Sequence, residues 1–423
     1  MSQNPAYLLF DRRYWPLFWT QFFGAFNDNL FKSALAMFIT FKVTTMWGLT
    51  SGALVNATAG IFILPFFIFS ATAGQMADKF SKHGLIRKVK VLEITIMSLA
   101  LVGFHHQWIG PLLVVLFAMG LQSALFGPLK YGVIPELLAS DDLMPANAVI
   151  EAGTFLAILL GTICGGILMM YPKGPWLIGT SVVVVAVAGW CASLFIPYTK
   201  PAAAKLHIHW NLVSETWRVM RDAAKETRPW QSIIAISWFW LVGALFLAQF
   251  PALAKDVLHG DEGVVTLLLA AFSVGIGGGS LLCNKLTHGH PSTKYVAFGG
   301  LGLSIMTFIF CASLQLVPPQ HDVLSFTQFL GQTWSYLPLL ALVGISVAGG
   351  VYIVPLYVVL QHEAAPGHKA RVIAANNIVN ALFMVISAVT AIGLLSAGVS
   401  VVELLALTGI ANLAVTYWVK KIF

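Results

Sequence analysis

Gln21-Phe22-Phe23-Gly24-Ala25-Phe26-Asn27-Asp28-Asn29-Leu30-Phe31-Lys32 puts an acid, a base and three amides inside the first long apolar run of the chain. A charge in hydrocarbon costs several kcal/mol, at least ~2.5 to 3.5 on insertion scales, so such residues persist where they pair or line a cavity. At helical spacing Asp28 and Lys32 are i,i+4 neighbours, and Gln21 lies two turns below Asp28 on the same stripe. The stretch therefore predicts a membrane helix with one polar seam turned toward a bundle interior.

The composition around it agrees. Of 423 residues, 58% are hydrophobic and 10% charged, against about 25% charged in soluble domains, and the mean hydropathy is +0.82. This is an all-α polytopic membrane protein. Asp11, Arg12 and Arg13 precede the first apolar run without a small-residue cleavage site, so no cleavable leader is expected. Cys164, Cys191, Cys283 and Cys311 fall inside apolar runs at no metal-ligand spacing, which predicts neither a disulfide frame nor a metal site. The net charge of +7 is spread as short clusters between apolar spans, the pattern of topology determinants rather than of a nucleic-acid surface.

Apolar runs of about 20 residues predict twelve transmembrane helices, near 15–40, 53–77, 90–107, 111–135, 145–170, 175–197, 231–254, 263–287, 294–316, 336–361, 371–397 and 399–419. With a cytoplasmic N-terminus, the inside loops hold Lys79, Lys82, Arg87, Lys88, Lys90, Lys200, Lys205, Arg218, Arg221, Lys225, Arg228, Lys285, Lys294, Lys369 and Arg371. The opposite side keeps Lys42, Lys173 and Lys255. That asymmetry predicts both termini in the cytoplasm.

The longest inside connection divides the chain into a six-helix bundle over 1–198, a linker over 199–230 and a second six-helix bundle over 231–423. Within the linker, Leu212, Val213, Trp217 and Met220 make an apolar edge opposite basic residues, the pattern of an interfacial helix on anionic headgroups. A short external helix is expected over Val323 to Leu330. An internal repeat supports two pseudo-symmetric halves. Pro128 and Glu136 align with Pro355 and Glu363 at one constant offset, and Ala146-Asn147 and Glu151 align with Ala375-Asn376 and Asn380 after a two-residue shift. Repeats of this kind place transport sites at their interface.

Between the second and third helices runs Gly74-Gln-Met-Ala-Asp78-Lys79-Phe-Ser-Lys82-His-Gly84-Leu-Ile-Arg87-Lys88. It resembles the cytoplasmic loop signature of the major facilitator superfamily. The physics is a tight helix end whose acid pairs with basic residues or a neighbouring helix terminus and latches one side. Asp78, Lys79, Lys82 and Arg87, with Glu136 at the end of the fourth helix, are the candidate gating residues. Gly161-Thr-Ile-Cys-Gly165-Gly166 resembles the antiporter glycine motif of that superfamily with Thr162 in place of proline, and small residues at this spacing read as close helix packing.

Lys130 and Glu151 lie on adjacent helices, each roughly 8 to 10 Å from the cytoplasmic boundary, and Asp28 and Lys32 roughly 20 to 25 Å in at 1.5 Å per residue. Lys130 and Glu151 are expected to pair across their helices. Two charged tiers thus arise from the first half, whereas the second half offers Tyr357, Asn376 and Asn380 at the repeat positions. One charged wall facing an aromatic and amide wall suits an amphiphile.

Gln21 to Asn29, Gly127-Pro-Leu-Lys130-Tyr131-Gly132, Ala146-Asn147-Ala-Val-Ile-Glu151-Ala-Gly-Thr154 and Val354-Pro355-Leu-Tyr357-Val-Val-Leu-Gln361 together resemble the bacterial lysophospholipid transporters, including those fused to acyltransferase and acyl-carrier-protein ligase domains. The resemblance implies a twelve-helix carrier working by alternating access. It would move lysophosphatidylethanolamine or a related lysolipid across the inner membrane for reacylation on the cytoplasmic side. Asp28, Asn29, Lys130, Tyr131, Asn147 and Glu151 are the positions it carries over.

In this reading Lys32 or Lys130 meets the lipid phosphate and Asp28 faces the headgroup amine or a coupling cation. Glu151 neutralises Lys130 in the empty site, Asn29, Asn147, Asn376 and Asn380 supply uncharged hydrogen bonds, and Gln21 is a further candidate substrate contact. Some members place a basic residue in helix seven, where this chain has only Gln249. No cofactor is expected beyond a coupling ion, sodium or proton. The expected partners are lysophospholipid, membrane lipids and a separate acyltransferase, with the carrier a monomer and no nucleic acid bound. The rival reading is a cation-coupled exporter of amphipathic drugs. An enzyme is disfavoured, since no acyltransferase His/Asp box, serine elbow or metal cluster appears.

Overall fold

The computed structural model describes residues 5–42, 45–47, 49–319 and 322–423. Among them are twelve helices of 19 to 29 residues: α1 (Trp15–Lys42), α2 (Ser51–Lys79), α3 (Lys82–His105), α4 (Ile109–Leu137), α5 (Leu143–Met170), α6 (Gly174–Ser193), α8 (Thr227–Ala252), α9 (Glu262–Leu286), α10 (Val296–Leu314), α12 (Tyr336–Glu363), α13 (Lys369–Ser396) and α14 (Val401–Ile422). Two shorter helices, α7 (Leu212–Ala223) and α11 (Phe326–Leu330), lie in the connections. At 1.5 Å per residue the shortest of the twelve reaches about 28 Å, close to the thickness of a bilayer's hydrocarbon core.

Among the described residues, ten helices are long and apolar enough to cross a membrane. The two that fall short are α1 and α3, which carry Asp28 and Lys32, and Lys90 and Glu93. Both are long enough, at 28 and 24 residues, and carry amides or charges within the span. Large side chains such as Val114, Val184, Ile392 and Tyr417 are at least 60% exposed, an outer face that lipid would solvate.

Helix boundaries follow local chemistry. Ser400 caps α14 in a capping box with Glu403, and Ser325 caps α11 with Gln328, so the short external helix begins at Phe326 rather than at Val323. Asn211 caps α7 through a bond from Ser214 N of 3.0 Å. Beyond that cap Lys225 hydrogen-bonds Asp222 at 2.7 Å and holds its carboxyl below the ordinary range. The largest displacement from expectation is α3, which starts at Lys82 rather than near 90. Residues 82–89 continue the helix because they contain no proline and one glycine, and Lys82 and Arg87 find partners within the fold.

Glycines set the closest approaches. A Cβ at Gly161 would stand 2.3 Å from the Phe26 carbonyl oxygen, and one at Gly165 2.4 Å from that of Leu30. Here α5 lies directly against the polar stretch of α1. The same device joins α9 to α12, where a Cβ at Gly279 would stand 2.1 Å from the Val347 carbonyl. Helices α2 and α13 pack together, as do α5 and α9.

Candidate functional site

Helix α4 delivers Lys130 and Tyr131, and α5 delivers Asn147, Glu151 and Thr154. The Tyr131 hydroxyl donates to Glu151 Oε1 at 2.6 Å. Its ring stacks on that of Tyr357 from α12, with centroids 4.4 Å apart and planes 6° from parallel. Trp240 Nε1 of α8 donates to the Tyr357 hydroxyl at 3.3 Å. The buried Asn376 amide makes no well-formed hydrogen bond, and Asn380 Oδ1 accepts from Ser237 Oγ at 2.7 Å.

Lys130 and Glu151 do not form the ion pair expected from the sequence. Lys130 Nζ instead donates to Thr154 Oγ1 at 3.2 Å and lies 4.6 Å from the centroid of the Tyr131 ring. The Tyr131 phenol takes one oxygen of Glu151, and the other oxygen has no hydrogen-bond partner. Thr154 Oγ1 is also 2.9 Å from Gln21 Oε1, which attaches Gln21 to the Lys130 group.

The outer tier is looser. Ser123 Oγ of α4 donates to Asp28 Oδ2 at 2.7 Å. Lys32 Nζ sits 4.5 Å from the centroid of the Phe62 ring on α2, and no ion pair links it to Asp28 among the described residues. The seam of α1 therefore fans out, with Gln21 toward α5, Asp28 toward α4 and Lys32 toward α2. Asn29 is not brought to these groups, since its amide donates to the Ala25 carbonyl of its own helix at 2.7 Å.

Sequence reasoning missed a third polar group. Lys90 and Glu93 of α3 form an ion pair of 2.6 Å at 0% and 1% exposure, with Asn27 of α1 and Gln122 of α4 bonded to the same carboxylate. Lys90 is thus not the loop residue that the charge pattern predicts. Its i,i+3 spacing from Glu93 is the signal that was available.

The candidate gating residues gather where α2 and α4 end and α13 begins. Buried Asp78 accepts from Arg371 Nε at 3.0 Å and from Ala370 N, the first turn of α13, at 3.1 Å. An acid at a helix N-terminus is favoured by the helix dipole as well as by the guanidinium. Lys82, 1% exposed, pairs with Glu136. Glu363, the repeat partner of Glu136, pairs with Arg228 at 3.0 Å. Arg87 instead closes the end of α6 by donating to the Leu194 carbonyl at 2.8 Å, and Lys79 lies 5.7 Å from the Phe80 ring. Asn147 and Gln361 exchange amide hydrogen bonds of 2.6 and 3.0 Å between α5 and α12.

Beside the inner group, a cavity of about 520 Å³ opens between α5 and α9, lined by Leu9, Phe18, Val149, Ala152, Leu281 and Lys285 among others. Gly153 separates it from Gln21, whose Nε2 would be 3.3 Å from a Cβ there.

A family model described as Major Facilitator Superfamily matches residues 17–388. The lysophospholipid transporter LplT of Escherichia coli O1:K1 / APEC is 27% identical over 352 residues, covering 81% of this chain and 78% of that protein. LplT of Escherichia fergusonii is 27% identical over 353 residues with the same coverage. Among solved structures, the human organic anion transporter MFSD10 (TETRAN) superposes with a TM-score of 0.72 at 13% identity, covering 96% of this chain and 99% of that one. A bacterial homologue of the iron transporter ferroportin, in an outward-facing state, gives 0.69 at 14% identity, covering 96% and 98%.

Proposed function

The chain belongs to the major facilitator superfamily and is a transporter rather than an enzyme, and from that premise we propose that it carries lysophospholipids, lysophosphatidylethanolamine in the first place, across a bacterial inner membrane. One observation carries the reading. Lys130 and Asp28 are opposite charges on neighbouring helices, and each is satisfied by a single neutral hydroxyl, that of Thr154 or Ser123. An ammonium has three protons to donate and a carboxylate about four acceptor sites, so both retain most of their bonding capacity. A zwitterionic headgroup offers the matching pair, phosphate for Lys130 or Lys32 and amine for Asp28. A point-charge ammonium suits phosphate.

The opposing aromatic wall of Tyr357 and Trp240 and the apolar cavity between α5 and α9 favour an acyl chain over a sugar. In this reading residues 1–198 and 231–423 are two six-helix halves, α1 and α3 spanning with the rest, that rock about the site while 199–230 joins them. Asp78, Lys82, Glu136 and Arg371 close the cytoplasmic side, where both termini lie. The carrier works as a monomer and hands its cargo to a separate acyltransferase. Asp28 and Glu151 are the acids available to a coupling sodium ion or proton.

A substrate panel in proteoliposomes tests the assignment. Uptake of lysophosphatidylethanolamine in preference to cationic amphiphiles supports it. Uptake of cationic amphiphiles alone, indifferent to Lys130→Ala, would establish the drug-exporter alternative instead.

A further inference from the structure

The carboxylate of Glu93 receives three donors from three helices. Lys90 Nζ of its own α3 lies 2.6 Å from Oε2, Gln122 Nε2 of α4 lies 3.1 Å from Oε2, and Asn27 Nδ2 of α1 lies 3.1 Å from Oε1. All four side chains are at most 3% exposed. The pocket is built around the ammonium. A Cβ at Gly24 of α1 would fall 2.7 Å from Lys90 Nζ and one at Gly189 of α6 3.6 Å from it, while the Phe126 ring lies 4.9 Å away. Asn27 also donates to the Val182 carbonyl of α6 at 3.1 Å.

Both amide arms end beside Asp28. Asn27 precedes it on α1. Gln122 precedes Ser123, whose hydroxyl lies 2.7 Å from Asp28 Oδ2 and 3.4 Å from Gln122 Oε1. One buried carboxylate thus grips the two helices that hold Asp28 and its hydrogen-bond donor. A buried ion pair adds little to stability against an apolar replacement of the same volume, so packing strength alone does not account for it. A carboxylate can accept three donors at once, whereas a glutamine in its place has one acceptor oxygen and must release at least one arm.

We propose that Glu93, neutralised by Lys90, is a positioning residue that fixes the Asp28 carboxylate for the cationic end of the substrate headgroup through the Asn27 and Gln122 arms. This rests on the reading of Asp28 as a headgroup contact, and the test separates the two.

The measurement is the Kd of lysophosphatidylethanolamine for the full chain in lipid nanodiscs, followed by tryptophan fluorescence. Glu93→Gln and Gln122→Met should each weaken binding roughly tenfold, the equivalent of one hydrogen-bonded arm. Gln122→Met leaves the ion pair intact and serves if Glu93→Gln fails to fold. Added to Asp28→Asn, Glu93→Gln should weaken binding by less than about twofold. Added to Lys130→Ala, it should keep its full effect, because only residues acting through one another are non-additive. Wild-type affinity in both single variants, or a full Glu93→Gln effect on top of Asp28→Asn, overturns the proposal and leaves Asp28's own role standing. Wild-type affinity in Asp28→Asn removes the headgroup contact itself and the positioning role with it.

Discussion

The Tyr131 ring of α4 lies flat on the Tyr357 ring of α12, 4.4 Å away at the centroids, and is held there by its hydroxyl's bond to Glu151. The contact joins the helix that carries Lys130 to the wall that faces it. On the proposed reading, substrate entering between them parts the two rings.

An aromatic pair of this kind is worth about 0.5 to 1.5 kcal/mol beyond its buried area. Tyr357→Ala should therefore shift the opening equilibrium roughly two- to tenfold, whereas Tyr357→Phe keeps the stack, gives up the 3.3 Å bond from Trp240, and should shift it less. Maleimide labelling of a cysteine introduced at the buried Ala375 reports the opening. Equal labelling rates in Tyr357→Ala and wild type would show that the stack closes nothing.

Asp78 joins α2 to α13 by two hydrogen bonds at 0% exposure. Asp78→Asn keeps the volume but removes the charge that Arg371 and the α13 terminus share. Hydrogen bonds to charged groups are worth about 1.5 to 3 kcal/mol, so the variant should turn over more slowly and favour the form open at that end. The same labelling assay and a transport rate check this, and an unchanged accessibility would remove Asp78 from the latch.

At Gly161 a Cβ would meet the Phe26 backbone oxygen at 2.3 Å, and a backbone atom cannot swing aside as a flexible side chain does. Gly161→Ala should cost about 1 to 3 kcal/mol by overpacking and move Asp28 with α1. The melting temperature in detergent should fall, while Gly243→Ala, at a mid-helix position with nothing within 4 Å, should hold or raise it.

The apolar runs make the helices legible in the sequence, and the stripe of Gln21, Asp28 and Lys32 marks the interior face of α1. Lys90 was misread for a physical reason. Basic residues near span ends follow the same topology rule whether they reach solvent or turn inward to an acid, and for Lys90 the telling neighbour was Glu93, three residues on along the same helix. Lys130 and Glu151 were placed on adjacent helices correctly but paired wrongly. Spacing along a helix does not reveal that the Tyr131 phenol takes the carboxylate first.

On the proposed reading Asp28 and Lys130 hold spare charge for a zwitterionic headgroup, and lysophosphatidylethanolamine uptake into proteoliposomes measures it directly. Removing one partner of a buried charge contact costs about 2 kcal/mol or more, so Lys130→Ala and Asp28→Asn should each slow uptake roughly thirtyfold or more at sub-saturating substrate. Wild-type uptake in both variants would show that neither charge meets the substrate.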